Sequence, residues 1–183
     1  MPWGCFLVSP LAHSPFGKKV QFMFEREIAL NQFLLAGLRK ISADIPQERM
    51  YERAPGNGHP PAWLWGHLAI TGEFGLRYVG IPVAHRDWLR VFGPGSSDDV
   101  QPDASYSKAG FLQLIEETYP RLQELVRQAD PELVAKPHGA AILSGTPIQT
   151  VGDILAHLLT SHFSFHQAQL SGWRRAAGLA HLF

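Results

Sequence analysis

Residues 150–178, TVGDILAHLLTSHFSFHQAQLSGWRRAAG, contain the pattern that decides the fold. Core-forming side chains recur there at spacings of three or four, as expected on the buried face of an α-helix. The members of this stripe are Leu155, Leu159, His162, His166, Leu170 and Trp173. Thr150 as N-cap and Asp153 three residues later form a near capping box, and Gly178 is a typical helix terminator. We therefore predict a helix from Thr150 to about Ala177.

Three other stretches carry a helical period, and none of the chain carries a convincing strand alternation. They run from about Val20 to Ala43, from Pro61 to about Val79 and from about Ser107 to Ala129. Pro61 suits the first turn of a helix, whereas Pro120 inside the third stretch should kink that helix or split it in two. The pattern predicts an all-α protein, a single domain built as a four-helix bundle.

The connections between these helices differ in length, and this constrains how the helices run. The segment Ile81–Tyr106, rich in Gly, Pro, Ser and Asp, is long enough to be functional or to cross the bundle. Such a crossover lets helices two and three run parallel, which a short turn forbids. We interpret residues 1–19 as an N-terminal extension and residues 20–183 as the bundle domain, although Met23 could also be the true start.

The composition is that of a globular protein and narrows the possible partners. Of 183 residues, 45% are hydrophobic and 17% charged, and 16 basic residues balance 16 acidic ones. No basic groove for nucleic acid, membrane-spanning apolar run or signal peptide is evident. Cys5 is the only cysteine, which excludes an internal disulfide and a cysteine-based zinc site. We expect a cytoplasmic protein.

Nine histidines are a high count, and three of them occupy predicted core positions. His162 and His166 are four residues apart, so both project from one face of the last helix. His67 lies on the core stripe of the second helix. A buried charged imidazole is costly, so these side chains must be neutral and hydrogen-bonded, or bound to a metal. We call His67, His162 and His166 the histidine triad and predict that it binds one divalent metal with open coordination positions.

The depth of each histidine along its helix predicts a helix pairing. At 1.5 Å per residue, His67 lies about 9 Å from the start of helix two and His166 about 16 Å from the end of helix four. Antiparallel helices place the two at comparable depth, whereas parallel helices separate them by about 13 Å. The structural alternative is that carbonyls, or Gln167 and Gln169, satisfy these histidines without a metal.

The other histidines are weaker candidates for the site. His157 lies about 140° around a straight helix from His162, so it should pack against a neighbouring helix rather than share the ion. His59, before two prolines, could line an entrance or lie in a surface loop. Loop or terminal positions are expected for the rest, which are His13, His85, His138 and His181.

The residues around the triad limit its chemistry. Phe163 follows His162, so the general-base glutamate of the zinc-protease motif HExxH is absent. Glu73 lies six residues past His67 and points to a different face. With no evident carboxylate ligand, a divalent ion keeps its full charge and favours hydroxide, a substrate carboxylate or a thiolate. Such an ion lowers the pKa of bound water or thiol and so generates a nucleophile near neutral pH.

Three motifs resemble those of a known family. GHLA at Gly66–Ala69, FGPGS at Phe92–Ser96 and HLLTSHFSFHQAQLSGWRRAAGL at His157–Leu179 are similar to the DinB/YfiT-like superfamily, over roughly residues 20–179. The resemblance implies a four-helix bundle of up-down-down-up topology with a long crossover between helices two and three. It also implies that the histidine triad is the metal site.

Characterised members of that superfamily include thiol-dependent S-transferases and a maleylpyruvate isomerase, which use low-molecular-weight thiols such as bacillithiol or mycothiol. The resemblance therefore implies a metalloenzyme that binds Zn or Ni, uses a small-molecule substrate with a low-molecular-weight thiol, and forms a homodimer. Two alternatives remain open. One is a metal-dependent hydrolase, and the other is a non-catalytic helical bundle that binds a metal or ligand.

Overall fold

The computed structural model describes residues 23–56, 58–180 and 182. Its α-helices are α1 (Glu25–Ser42), α2 (Pro61–Tyr78), α3 (Trp88–Phe92), α4 (Lys108–Arg127), α5 (Pro131–Val134), α6 (Val151–Leu159) and α7 (Ser161–Ala176). Short 3-10 turns occupy Gln47–Arg49 and Ala141–Leu143. Within these described ranges there is no β-strand, only an isolated bridge between Pro137 and Thr150. The prediction of an all-α protein is confirmed.

Contacts between α1 and the last two helices show that α1 and α7 run in the same direction. The side-chain amide of Asn31 donates to the carbonyl of Leu159 at 2.7 Å, near one end of the pair. Toward the other end, the guanidinium of Arg174 donates to the carbonyl of Ile41 at 2.9 Å. Residue numbers thus increase together from Leu159, at the junction of α6 and α7, to Arg174, which means that α1 is parallel to α7.

The central pair, α2 and α4, is also parallel. The Tyr119 hydroxyl of α4 donates to the carbonyl of Leu68 of α2 at 3.3 Å. Further along both helices, Gly75 packs so closely on Leu122 that an added Cβ would lie 2.5 Å from the leucine side chain. The long segment 81–106 joins the end of α2 to the start of α4 and makes this parallel arrangement possible.

The remaining pair, α2 and α7, is antiparallel. His67 of α2 lies beside His162, whereas Trp63, one turn earlier on α2, packs against His166, one turn later on α7. The four long elements therefore follow the up-down-down-up order, as the resemblance implied. Large side chains with under 2% exposure fill the centre of the bundle, among them Trp65, Phe92, Phe111, Tyr119, Phe163 and Trp173.

The last predicted helix is two helices in the structure, so the prediction of one continuous helix was wrong. Thr160 has φ −123° and ψ −87°, outside the helical region, and separates α6 from α7. The break leaves the carbonyl of Leu159 near the end of α6, where the buried amide of Asn31 donates to it. A partner from a distant helix therefore offsets the interruption, and no local pattern of spacing reveals it.

The predicted ends of this two-helix segment are correct. Thr150 Oγ1 accepts a hydrogen bond from the backbone N–H of Asp153 at 3.1 Å, and the Asp153 carboxylate accepts one from the backbone N–H of Thr150 at 2.8 Å. Both halves of the capping box are thus formed. Gly178, just past α7, has φ +78°, a left-handed conformation that favours glycine.

Pro120 does not divide the third predicted helix. Helix α4 runs from Lys108 to Arg127 with Pro120 inside it. The proline is exposed, so the carbonyl that loses its usual donor lies where water can reach it, while Tyr119 and Leu122 beside it are buried. Packing of this apolar face stabilises the helix through the position that local chemistry disfavours.

Some of the predictions concern residues outside the described ranges. Residues 1–19, which we interpret as an extension, lie outside them, as do Cys5, His13 and His181. None of the described helices is long and apolar enough to span a membrane.

Candidate metal centre

The three predicted ligands converge in the structure. His67 comes from α2, and His162 and His166 come from α7. One nitrogen atom from each imidazole can be chosen such that all lie within 4.8 Å of one another. His67 and His166 are 4% and 7% exposed, and His162 is half-buried. The antiparallel packing of α2 on α7 therefore produces a compact group of imidazoles that the sequence spacing predicts.

Partners outside the triad fix the orientation of two of these rings. Nδ1 of His67 donates to the carbonyl oxygen of Phe92 at 2.6 Å, because a carbonyl can only accept. Nδ1 of His166 is 2.7 Å from Oε1 of Gln169 and donates to it. In a neutral imidazole, a protonated Nδ1 leaves Nε2 with its lone pair, which is the form that coordinates a metal.

The remaining geometry also fits a divalent ion. Nε2 of His67 and Nε2 of His162 are 3.1 Å apart. Two nitrogens bound to one tetrahedral zinc, each at the usual bond length, lie about 3.3 Å apart. Nδ1 of His162 is buried without a hydrogen-bond partner among the described residues, so hydrogen bonding from this part of the chain does not fully satisfy that ring.

Burial keeps the triad neutral at physiological pH. Desolvation lowers the pKa of His67 to about 4, against the favourable hydrogen bond to Phe92. It lowers the pKa of His166 to about 4 and that of His162 to about 2, and repulsion from the other imidazoles adds to both shifts. Neutral rings are ready to donate a lone pair to a metal without first losing a proton.

The long segment between α2 and α4 packs over the triad from one side. Trp63 stacks on His67 with ring centroids 4.5 Å apart and planes at 8°, and His59 stacks on Trp63 at 4.1 Å. Ser96 accepts a hydrogen bond from the Trp63 indole at 3.2 Å, and Asp98 pairs with His59 at 2.9 Å. The expectation that this segment has a functional position agrees with these contacts.

Gly66, the residue before His67, makes the contact with this segment possible. A Cβ at Gly66 would lie 2.4 Å from the ring of Phe92, which is fully buried. Without a side chain, Gly66 lets Phe92 pack directly on α2, and the Phe92 carbonyl reaches Nδ1 of His67. The glycine of the GHLA motif thus supports the orientation of the adjacent histidine.

His157 lies nearer to the triad than a straight helix allows. The break at Thr160 brings its ring centroid to 5.5 Å from that of His162, and Nδ1 of His157 lies 2.7 Å from the hydroxyl of Ser161. His157 is not part of the three-histidine group that could hold a metal, as predicted. Its ring packs against His162 of the neighbouring helix α7, in agreement with the expected packing between helices.

A cavity of about 840 Å³ opens beside the triad, and we call it the triad cavity. His67, His162 and His157 form part of its wall. Most of the remaining lining is apolar, including Trp63, Phe74, Ile142, Leu143, Ile154 and Leu158. No aspartate or glutamate is among the described residues that line it. The cavity can therefore accept a small molecule against the triad in an apolar environment without a carboxylate.

Several other predicted or rejected candidates have structural roles. Glu73 is buried, and its carboxylate accepts hydrogen bonds from the backbone N–H groups of Ala84 and His85 and pairs with the His85 ring at 2.7 Å. It thus anchors the start of the long segment away from the triad. His138 lines the triad cavity, and its Nε2 bonds to the carbonyl of Ile148 at 2.9 Å.

Sequence patterns did not identify the backbone carbonyl of Phe92 as a partner of the triad. Every residue carries a carbonyl, so no residue type marks one that contacts a ligand. The FGPGS motif was the one available signal, because Phe92 is its first residue. Gln169 was visible as a possible hydrogen-bond partner through its spacing from His166.

The fold and the site define a class: four-helix bundle proteins with a buried three-histidine group that could bind a metal. A family model described as the DinB superfamily matches residues 32–170 of this chain, and the chain belongs to that superfamily.

One similar solved structure is described as "YfiT from Bacillus subtilis is a probable metal-dependent hydrolase with an unusual four-helix bundle topology". It has 16% sequence identity and a TM-score of 0.60, and the match covers 92% of this chain and 94% of that chain. At this identity, the likeness shows a shared fold. The comparison with curated proteins gives no significant match.

Proposed function

We propose that this protein is a metal-dependent enzyme in which His67, His162 and His166 hold one Zn or Ni ion. The proposal rests chiefly on one observation, the convergence of three imidazole nitrogens beside the triad cavity, which His67 and His162 line. A bound divalent ion would supply Lewis acidity, which lowers the pKa of a coordinated water or thiol. The chain itself would hold the three rings neutral and aim two of them through Phe92 and Gln169.

The first candidate reaction is transfer of a low-molecular-weight thiol to an electrophilic small molecule. The absence of a carboxylate among the described cavity-lining residues supports this choice, because a thiol needs no strong general base to ionise at a cationic site. The apolar lining would exclude bulk water from the reacting thiolate. The same lining would hold the apolar part of the electrophile next to it.

The second candidate is metal-dependent hydrolysis. The Bacillus subtilis protein of the same fold is described as a probable metal-dependent hydrolase, and this favours an attacking water in place of a thiol. His157 lies beside His162 in the triad cavity, where such a water would bind. The two candidates use the same histidines and differ in the nucleophile.

Metal content tests the part that both candidates share. Wild-type protein should purify with, or take up, about one Zn or Ni per chain by elemental analysis, since the triad offers one site. His162→Ala and His166→Ala should lose that metal. His157→Ala is the matched control, because it removes a neighbouring imidazole that is outside the group, and it should retain the metal. Equal metal in all four proteins would contradict the site.

Product formation with and without thiol separates the two reactions. Zinc-loaded protein would be incubated with an electrophile such as 1-chloro-2,4-dinitrobenzene and a panel of small thiols, and separately with 4-nitrophenyl esters without thiol. A rate that rises with thiol and is lost in His166→Ala supports transfer, whereas ester turnover without thiol supports hydrolysis. If the protein holds metal but shows neither activity, that result would support the non-catalytic alternative.

A homodimer and a cytoplasmic location complete the proposal. The dimer comes from the resemblance to the superfamily, and the location comes from the composition. Sedimentation equilibrium tests the first, and fractionation of cells that express the tagged full chain tests the second.

A further inference from the structure

We infer that the end of the triad cavity far from the histidine triad binds a carboxylate of the substrate through Arg77 and Lys136. The inference rests on the proposed function and adds the substrate class. That class is a small organic anion with an apolar body, whose charged group is held away from the reacting centre.

The first cation is placed by the cavity-lining face of α2. His67, Thr71, Phe74 and Arg77 all line the triad cavity, at the spacing of successive turns of one helix. Arg77 lies in the last turn of α2, ten residues after His67, which corresponds to about 15 Å along the helix axis. A molecule that contacts both residues must therefore extend along the cavity.

The second cation comes from the connection before α6 and reaches the same end of the cavity. The carbonyl of Lys136 accepts a hydrogen bond from the backbone N–H of Val151, the first residue of α6, at 2.7 Å. His157 lies six residues further along α6, beside His162. Helix α6 leads into the start of α7, which runs opposite to α2, so we place the start of α6 toward the end of α2, where Arg77 is located.

The charges of this end of the cavity favour an anion. Arg77 and Lys136 are exposed, and neither forms an ion pair with a carboxylate in the part of the chain that the structure describes. They are the two lysine or arginine residues of the cavity lining, and the described lining contains no acidic residue to neutralise them. An arginine fork binds a carboxylate through two parallel hydrogen bonds, and the lysine adds a third donor.

The wall between the cations and the triad is mostly apolar. Phe74 on α2 faces the same cavity as Ile154 and Leu158 on α6, and Ile142 and Leu143 add apolar surface from the preceding connection. Burial of a hydrocarbon body against these side chains is favourable, whereas a polar body would lose its hydration. The cavity thus presents an apolar middle with a cationic end, which matches an elongated amphipathic anion.

A matched pair of probes tests this carboxylate site directly. Octanoate and octanamide have the same length and nearly the same shape and differ in charge. Their binding would be measured by isothermal titration calorimetry with the full chain, once with zinc added and once after treatment with a chelator. The wild type should bind octanoate at least about tenfold more tightly than octanamide in both states.

Variants decide whether the two cations cause that preference. Arg77→Gln and Lys136→Gln together should reduce the preference to less than about twofold, with octanamide binding unchanged. Arg121→Gln is the matched control, because Arg121 is an exposed arginine of α4 outside the cavity lining, and it should keep the preference. These side chains are exposed, so the variants should fold as the wild type does.

Three results would overturn the inference. They are equal binding of both probes by the wild type, a preference that survives the double substitution, and a preference that appears only with zinc. The last result would mean that the carboxylate coordinates the metal. Binding to the chelator-treated protein does not require the triad to hold a metal. This measurement can therefore refute the carboxylate site without refuting the metal site, and metal analysis can refute the metal site without refuting the carboxylate site.

Discussion

Replacement of Asn31 by alanine should destabilise the bundle through the junction between α6 and α7. Asn31 lies on α1 and is 0% exposed. Its amide nitrogen donates to the carbonyl of Leu159 at 2.7 Å, and its amide oxygen accepts from Nε2 of Gln123 of α4 at 2.7 Å. One side chain thus satisfies the last carbonyl of α6 and joins three helices through hydrogen bonds that water cannot easily replace.

The expected magnitude follows from the two partners that the substitution leaves behind. Each buried polar group without a partner costs roughly 1–3 kcal/mol, so the carbonyl of Leu159 and the amide of Gln123 together set a range of roughly 2–6 kcal/mol. Partial relaxation of the packing around the shortened side chain places the expected loss near 3 kcal/mol. For a chain of this length, that corresponds to a fall in Tm of about 6–12 °C.

Urea unfolding of the chelator-treated protein measures this loss without a contribution from bound metal. Circular dichroism and tryptophan fluorescence should give the same transition, which tests two-state behaviour. Gln32→Ala is the control, because Gln32 is exposed and touches Gln123 only through a 3.4 Å hydrogen bond. A free-energy loss for Asn31→Ala below about 0.5 kcal/mol, or equal to that of Gln32→Ala, would refute the reasoning.

Three further substitutions or conditions test other parts of the structure. Gly66→Ala should displace Phe92 from its contact on α2, destabilise the fold by about 1–3 kcal/mol and weaken zinc binding about 10–100-fold in a competition with a chromophoric chelator. Thr150→Ala should lower the free energy of unfolding by about 1 kcal/mol in urea, through loss of the α6 cap. The metal-free protein should lose stability as the pH falls from about 6.5 toward about 4.

The sign of that pH effect follows from the triad. The folded-state pKa values of the triad lie below the unfolded value of about 6.5, so the unfolded chain binds more protons than the folded one between these values. Each histidine therefore lowers the free energy of unfolding by up to about 1.4 kcal/mol for each pH unit of acidification in this range. A urea midpoint that does not change between pH 7 and pH 5.5 would contradict the burial of these rings.

Gly58→Ala, which adds a Cβ in open space, is the control for Gly66→Ala and should leave zinc affinity unchanged. For Thr150→Ala, an unchanged urea midpoint would contradict the stabilisation of α6 by the Thr150 cap.

Much of the fold was predictable because its signals are local. The apolar period of each long helix, Pro61 in the first turn of α2 and the Thr150–Asp153 capping box depend on residues within a few positions of one another. The parallel run of α2 and α4 was also predictable, since the length of segment 81–106 permits it. Pro120 was judged from local chemistry alone, and packing of the buried face of α4 outweighed it.

The sequence by itself determined which three histidines share a core position, because spacing along a helix fixes direction and a buried imidazole needs a partner. Only the tertiary structure decided how those rings are oriented and what surrounds them. At the break, the carbonyl of Leu159 accepts its hydrogen bond from Asn31, 128 residues away, and the orientation of His67 depends on a backbone carbonyl 25 residues away. Hydrogen bonds between such distant segments form only when the helices pack together, so no local pattern encodes them.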